Sequence, residues 1–290
     1  MEEARRSGVT DFTFLEAVGI RFGRPNLSCT GVLGPMTKVA QAVLALAGLI
    51  LIPGPLHAES LRYFCADARD EVNRDPMISA AVEKVFGRPH YAASSRVEEC
   101  IYPLKVLRFA TADVLLTIGN VPGALLCHGC GARLSAYVLK REAGGSRLVS
   151  RLIDFAETGT SWGDPGTITP IQIGSDDAIA IESGGTFQGY AISSLDLYAF
   201  RGGRAVNLTP DPVFLSTSNA GAMTDPRKVV EIDGSWALDP KTRTKLKVDY
   251  KINRGGKISH AQVVWALRKN KSVIVKGTEP PEIAELHRKW

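Results

Sequence analysis

The chain has 290 residues, of which 44% are hydrophobic and 22% are charged. These proportions are ordinary for a globular protein, and they exclude a wholly disordered or low-complexity chain. The formal net charge of +5 is too small by itself to indicate a nucleic-acid-binding protein. At about 150 residues per domain, the length predicts one large or two small domains.

Residues 36–58 have the three parts of a secretory signal peptide. Lys38 supplies a positive charge, residues 39–52 contain only one polar side chain, Gln41, and the segment ends at Ala58. The apolar part would span about 21 Å as a helix, which is shorter than the ~30 Å hydrocarbon core of a membrane. The pattern therefore favours a cleaved signal over a membrane anchor. We predict a periplasmic or secreted protein with no membrane span after cleavage.

Residues 1–35 precede this signal and show no sustained hydrophobic period. Because an export signal normally stands at the N-terminus, we predict that translation begins at Met36 and that residues 1–35 are a non-native extension. The predicted mature chain then begins at Glu59. It divides into a helical segment, 59–100, and a β-rich domain, 101–290.

The spacing of apolar residues predicts two helices within residues 59–90. Cys65 falls on the apolar face of the first helix. The second helix is predicted to begin with Asp75 as its cap and Pro76 at the first helical position, and to end at Gly87.

After Leu104 the alternation of apolar and polar residues predicts strands joined by tight turns. The predicted strands are 105–111, 113–118, 134–141, 147–155, 168–173, 177–182, 188–200, 204–208, 245–253, 263–267 and 273–275. Residues 209–226 are predicted to form a loop, and residues 281–290 a short helix. The predicted fold is therefore mainly β (α+β), an antiparallel β body with two N-terminal helices and a short C-terminal helix.

Four cysteines lie in the predicted mature chain: Cys65, Cys100, Cys127 and Cys130. An even number of cysteines in an exported protein indicates disulfides, and four cysteines allow three connectivities. We predict Cys65–Cys100 and Cys127–Cys130, because the second pair is close in sequence and Gly129 allows a small ring to close.

The tetrapeptide Cys127-His128-Gly129-Cys130 has two further interpretations besides a structural disulfide. A Cys-x-x-Cys pair can act in thiol–disulfide exchange, and with His128 it offers three metal ligands. Gly131 weakens the prediction of the helix that a thioredoxin-type site requires, and a second Cys/His pair that would complete a zinc site is missing. The sequence therefore favours a structural disulfide, and we predict no metal and no cofactor.

Two glycine-rich segments are candidates for a ligand site. Residues 159–163 match G-x-S-x-G, but Asp164-Pro165-Gly166 prevents the helix that should follow a catalytic serine at Ser161. The second segment runs from Glu182 to Tyr190. If the two lie at the same end of a sheet, one pocket would be lined by Trp162, Glu182, Gln188 and Tyr190. We predict no catalytic residue.

Charge is unevenly distributed along the chain. Residues 59–226 contain 15 Lys and Arg against 19 Asp and Glu, whereas residues 227–290 contain 15 against 7. Alternation in strand 245–253 places Lys245, Lys247 and Lys251 on one side. This pattern favours a solvated face that prevents aggregation, and the alternative is a surface for anionic envelope polymers. No aromatic residues alternate with these lysines, so binding to single-stranded nucleic acid is not predicted.

The series Cys-His-x-Cys-Gly, Leu-Ser-Ala-Tyr-Val, Gly-Ser-Arg-Leu, Ser-Trp-Gly and Gln-Gly-Tyr in residues 127–190 resembles an uncharacterised group of bacterial exported proteins. The resemblance implies an extracytoplasmic location and a hairpin-rich middle of the chain. It implies no particular activity.

The predicted function is therefore an exported, soluble envelope or binding protein without catalysis, whose ligand the sequence does not specify. The alternative is an enzyme, either a thiol–disulfide oxidoreductase that uses Cys127 and Cys130 or a hydrolase that uses Ser161. A structural subunit of a larger assembly is a third class.

Overall fold

The computed structural model describes residues 63–93, 100–123, 129–159, 162–269 and 271–289. The predicted N-terminal extension, the signal peptide, Cys127, His128 and Ser161 lie outside these residues.

Two short helices, α1 (Ala68–Arg74) and α2 (Pro76–Phe86), begin the described chain. The predicted cap of α2 is confirmed, since the Asp75 carboxylate accepts hydrogen bonds from the backbone N–H groups of Met77 and Ile78. The prediction that Cys65 lies on a helix is wrong. Its backbone N–H donates to the carbonyl of Ile101 at 2.9 Å, so the chain is extended there and the helix begins three residues later.

The first sheet has four antiparallel strands in chain order. They are β1 (Ile101–Arg108), β2 (Ala112–Gly119), β3 (Arg133–Glu142) and β4 (Gly145–Glu157).

The second sheet has nine antiparallel strands. They are β5 (Thr167–Ile173), β6 (Asp176–Phe187), β7 (Tyr190–Arg201), β8 (Arg204–Asn207), β9 (Val213–Ser218), β10 (Val230–Leu238), β11 (Lys245–Arg254), β12 (Lys257–Arg268) and β13 (Lys271–Lys276). Their order is β13-β12-β11-β10-β9-β7-β6-β5, with β8 paired to β7. A short helix, α3 (Pro281–Lys289), follows. The predicted mainly β fold with two N-terminal helices and one C-terminal helix is confirmed.

Three apolar clusters hold these elements together. The helices pack on one face of the first sheet, where Ile78 and Val82 contact a cluster that contains Leu115. The neighbouring Leu116 points to the other face, where it packs in a cluster shared with Ile181 of the second sheet. The second sheet encloses a further core that α3 covers in part with its buried Ile283.

One predicted disulfide lies in the first of these clusters. Cys65 and Cys100 are bonded, and their residues are 0% and 5% exposed. The bond joins the extended segment before α1 to the residue that precedes β1. No helix in the described part of the chain is long and apolar enough to cross a membrane.

Candidate functional site

Glu182 lies apart from Gln188 and Tyr190, with which it was predicted to line one pocket. Trp162 lies on the loop between β4 and β5, and the backbone of Gly166 in the same loop contacts β6 at Glu182. Gln188 and Tyr190 lie at the turn between β6 and β7, about 20 Å further along the extended strand. Glu182 is therefore not brought together with Gln188 and Tyr190, and neither of the two surface grooves described below includes any of the four.

The reason for this separation is that residues 182–187 form strand rather than loop. Gly184 lies inside β6, where a side chain would collide with the carbonyl of Ile192 on β7. Gly189, at the turn, packs directly against Gly221 in the loop between β9 and β10. These glycines allow backbones to approach closely, and the predicted glycine-rich loop is corrected to a strand that ends in a two-residue turn.

The last residue of the Cys-x-x-Cys motif and the segment after it are hydrogen-bonded to the loop that carries Trp162. The carbonyl of Cys130 accepts a hydrogen bond from the N–H of Gly163 at 2.9 Å, and Thr158 donates its N–H to the carbonyl of Ala132 at 3.0 Å. Cys130 is disulfide-bonded, while the predicted partner, Cys127, lies outside the described residues. After Cys130 the chain enters β3 at Arg133, so a strand follows the motif and not a helix.

Three buried or half-buried polar groups on β6 and β7 face the first sheet. Burial raises the pKa of Asp196 to about 6, and it raises the pKa of Tyr198 as well. The hydroxyl of Ser183 is buried without a hydrogen-bond partner in the described part of the chain. The sequence analysis did not predict these buried polar groups. Asp196, a charged residue between Leu195 and Leu197, is the feature of the sequence that could have indicated them.

The outer face of β10, β11 and β12 carries a polar groove of about 480 Å³. Continuous registers across the three strands place Asp233, Lys251 and His260 in one row, and Ser235, Asp249 and Gln262 in the next. We call these two rows the polar groove.

Charges within the polar groove are balanced. Gln262 donates to Asp249 at 2.6 Å, and the Lys247 ammonium lies 2.8 Å from the other carboxylate oxygen. These contacts hold the pKa of Asp249 below its ordinary value, so its carboxylate is ionised at neutral pH. Asp233 lies directly opposite Lys251 in the register. Within the described chain the side chains of Asp233 and His260 make no hydrogen bond to protein, so both are available to a ligand.

A cluster of cations adjoins the polar groove on the same outer face. One row contains Lys247, Val264 and Lys276, and the next contains Lys245, Ala266 and Val273. Arg268 and Lys271 form a third row. We define the basic patch as the five cations of these rows: Lys245, Lys247, Arg268, Lys271 and Lys276.

The basic patch covers three strands and three rows, which is about 10 Å by 13 Å from standard strand spacings. All five cations are exposed, and three small apolar side chains lie between them. Among the described residues only Lys247 of the five forms an ion pair within 4 Å, and Lys245 has a longer-range electrostatic interaction with Asp239. The predicted alternation of β11 is therefore confirmed. The basic patch extends toward β13, whereas Lys251 lies in the polar groove, opposite Asp233 in the register.

A second, smaller groove of about 230 Å³ lies between the two sheets. It is lined by β2, β3 and β4 on one side and by Phe200, Gly203 and Arg204 on the other. Most of its lining is apolar, and its one acidic group is Asp177. Among the described residues, no group of three His, Cys, Asp or Glu side chains is placed to hold a metal ion.

The chain matches no protein-family model, no curated protein and no solved structure.

Proposed function

We propose that this protein is an exported, non-catalytic binding protein that holds an anionic polymer at the basic patch. The observation that carries the proposal is the arrangement of five exposed cations on one face of three adjacent strands, of which Lys247 alone lies within 4 Å of an acidic group in the described part of the chain. Closely spaced cations of one sign attract polyanions and accelerate their association.

Two observations support a location outside the cytoplasm. Residues 36–58 have the pattern of a cleaved signal. The Cys65–Cys100 disulfide is buried in an apolar cluster, and disulfides form and persist in oxidising compartments. N-terminal sequencing of the exported protein should give Glu59 as the first residue. Recovery of a membrane-bound chain that starts at Met1 would contradict this part of the proposal.

The local structure after Cys130 supports a binding protein over the alternative oxidoreductase. In a reactive Cys-x-x-Cys site, a helix N-terminus commonly lowers the pKa of the attacking thiol. Here Cys130 is followed by β3, and its backbone is fixed to the loop between β4 and β5. A structural disulfide fits this setting, since it needs no accessible thiolate.

The test is binding of purified mature protein to fluorescent polyglutamate at several salt concentrations. The patch variant is Lys245→Gln/Lys271→Gln/Lys276→Gln, and the matched control removes three exposed cations from other surfaces, Lys84→Gln/Arg88→Gln/Lys140→Gln. At about 0.5 kcal/mol for each exposed charge contact, the patch variant should weaken binding about tenfold. Binding of all proteins should weaken as salt rises. Equal losses in the patch variant and the control would contradict a defined site.

A further inference from the structure

We propose that the polar groove binds the hydroxyl groups of sugar rings, so that the anionic polymer is an acidic polysaccharide. This inference rests on the proposed function, because it specifies which polyanion fits the face that carries the basic patch. The observation behind it is that a polar groove with balanced charge adjoins a cluster of cations on one continuous sheet surface.

The two sites are close enough for one short oligosaccharide to span both. Lys247 of the basic patch and Asp249 of the polar groove are two residues apart on β11 and point to the same side. Neighbouring rows of one face are about 7 Å apart. A chain of two or three sugar rings that lies on the patch therefore extends into the groove without bending away from the sheet.

Charge selects against a polymer that is anionic along its whole length. In the groove, Lys247 is bound to Asp249, and Lys251 lies opposite Asp233 in the strand register without a close ion pair, so the two carboxylates offset the charge of the two lysines. An extended polyanion without hydroxyl groups would place its own carboxylates against those of Asp233 and Asp249. An acidic polysaccharide in which charged and neutral rings alternate can instead place a neutral ring in the groove.

The polar atoms of the groove match sugar hydroxyl groups. A carboxylate only accepts hydrogen bonds, and its bonds from hydroxyl donors are short and strong. The side chains of Asp233, Ser235 and His260 make no hydrogen bond to the described protein, while Asp249 is held in place by Gln262 and Lys247. The groove volume of about 480 Å³ lies within the usual range for small-ligand sites.

A single substitution separates hydroxyl recognition from general electrostatics. Asp233→Asn removes a negative charge, so simple electrostatics predicts tighter binding of every polyanion. If the Asp233 carboxylate accepts sugar hydroxyl groups, the same substitution should weaken hyaluronate binding about tenfold, since a lost charged hydrogen bond costs about 1.5 kcal/mol. Glu231→Gln is the matched control, because it removes one exposed negative charge from the neighbouring row outside the groove.

The two probes are hyaluronate, in which a carboxylate-bearing ring alternates with a neutral ring that carries hydroxyl groups, and polyglutamate, which carries carboxylates alone. We expect Asp233→Asn to weaken hyaluronate binding and to leave polyglutamate binding equal or slightly tighter. Glu231→Gln should weaken neither. If Asp233→Asn leaves both unchanged or strengthens both, hydroxyl recognition is refuted while polyanion binding stands. If neither polymer binds the unaltered protein, the proposed function itself is refuted. Urea unfolding of each variant verifies that the fold is retained.

Discussion

The buried hydroxyl of Tyr250 on β11 donates a hydrogen bond to the carbonyl oxygen of Phe214 on β9, at 2.8 Å. The strand between them, β10, allows this contact because Gly234 has no side chain. A Cβ at this position would lie 3.0 Å from the Tyr250 ring and 2.6 Å from the carbonyl of Leu215. One side chain thus joins three strands of the sheet beneath the polar groove.

Tyr250→Phe should destabilise the protein, because it leaves the buried carbonyl of Phe214 without its donor. The expected loss in the free energy of unfolding is about 1–3 kcal/mol, measured by urea denaturation. Tyr190→Phe is the control, since Tyr190 is 44% exposed and its hydroxyl can bond to water. Equal stability of the two variants would show that the Tyr250 hydrogen bond contributes nothing measurable.

Gly234 also explains why the sequence did not predict β10. The segment around it has polar residues on the outer face and a glycine in the middle, which is unfavourable for a strand considered alone. The structure compensates because the Tyr250 ring fills the space above the glycine. Strand β9 was missed within the predicted loop 209–226 for a related reason. Pro210 and Pro212 indicate a turn, yet Val213, Phe214 and Leu215 directly after them are buried.

Local sequence patterns were sufficient to predict those elements whose structure depends on one short segment. Asp75 and Pro76 indicate the start of α2, and the four alternating apolar residues of β11 are all buried. The candidate site depends on contacts between distant segments. The basic patch needs β13 to lie beside β12, so that Lys271 and Lys276 join Lys245, and no local pattern specifies that register.

The Cys65–Cys100 disulfide should contribute a large part of the stability. In the chain-entropy model, a loop of 35 residues stabilises by roughly 3–4 kcal/mol, mainly through the unfolded state. Cys65→Ala/Cys100→Ala should therefore lower the free energy of unfolding by about that amount. Cys130→Ala should cost less, because the predicted Cys127–Cys130 ring is short. Peptide mapping without reduction verifies both pairings, and a Cys65–Cys127 link would contradict them.

Asp196 should make the protein less stable as pH rises from about 4 to about 6. Its pKa is raised by burial from 3.8 to about 6, so the folded state holds a proton that the unfolded state releases in this range. Two pKa units correspond to about 3 kcal/mol at most. Asp196→Asn, which keeps the shape without the charge, should be more stable than the natural protein above about pH 6 and nearly equal to it below pH 4. A stability difference between the two proteins that is the same at all pH values would exclude this titration.

His287 should contribute stability at low pH and lose it at high pH. Its ring lies 3.1 Å from the carboxylate of Glu279 and packs edge-on against Phe214. Chiefly through this hydrogen bond to Glu279, the pKa of His287 is raised above 6.5. The folded state therefore binds the proton more tightly than the unfolded state does. The stabilisation is fully present below pH 6.5 and disappears as pH rises through the folded-state pKa.

The substitution His287→Phe keeps an aromatic ring against Phe214 and removes the titrating group. For a partly exposed ion pair we expect about 0.5–1 kcal/mol between the natural protein and the variant below pH 6.5. That difference should shrink as pH rises above this value. The measurement is the free energy of unfolding by urea at pH steps from 5 to 9, and the same series with Asp196→Asn separates the two titrations, because Asp196 acts in the lower range. A difference that is the same at every pH would show that the ring packing, and not the contact with Glu279, accounts for the role of His287.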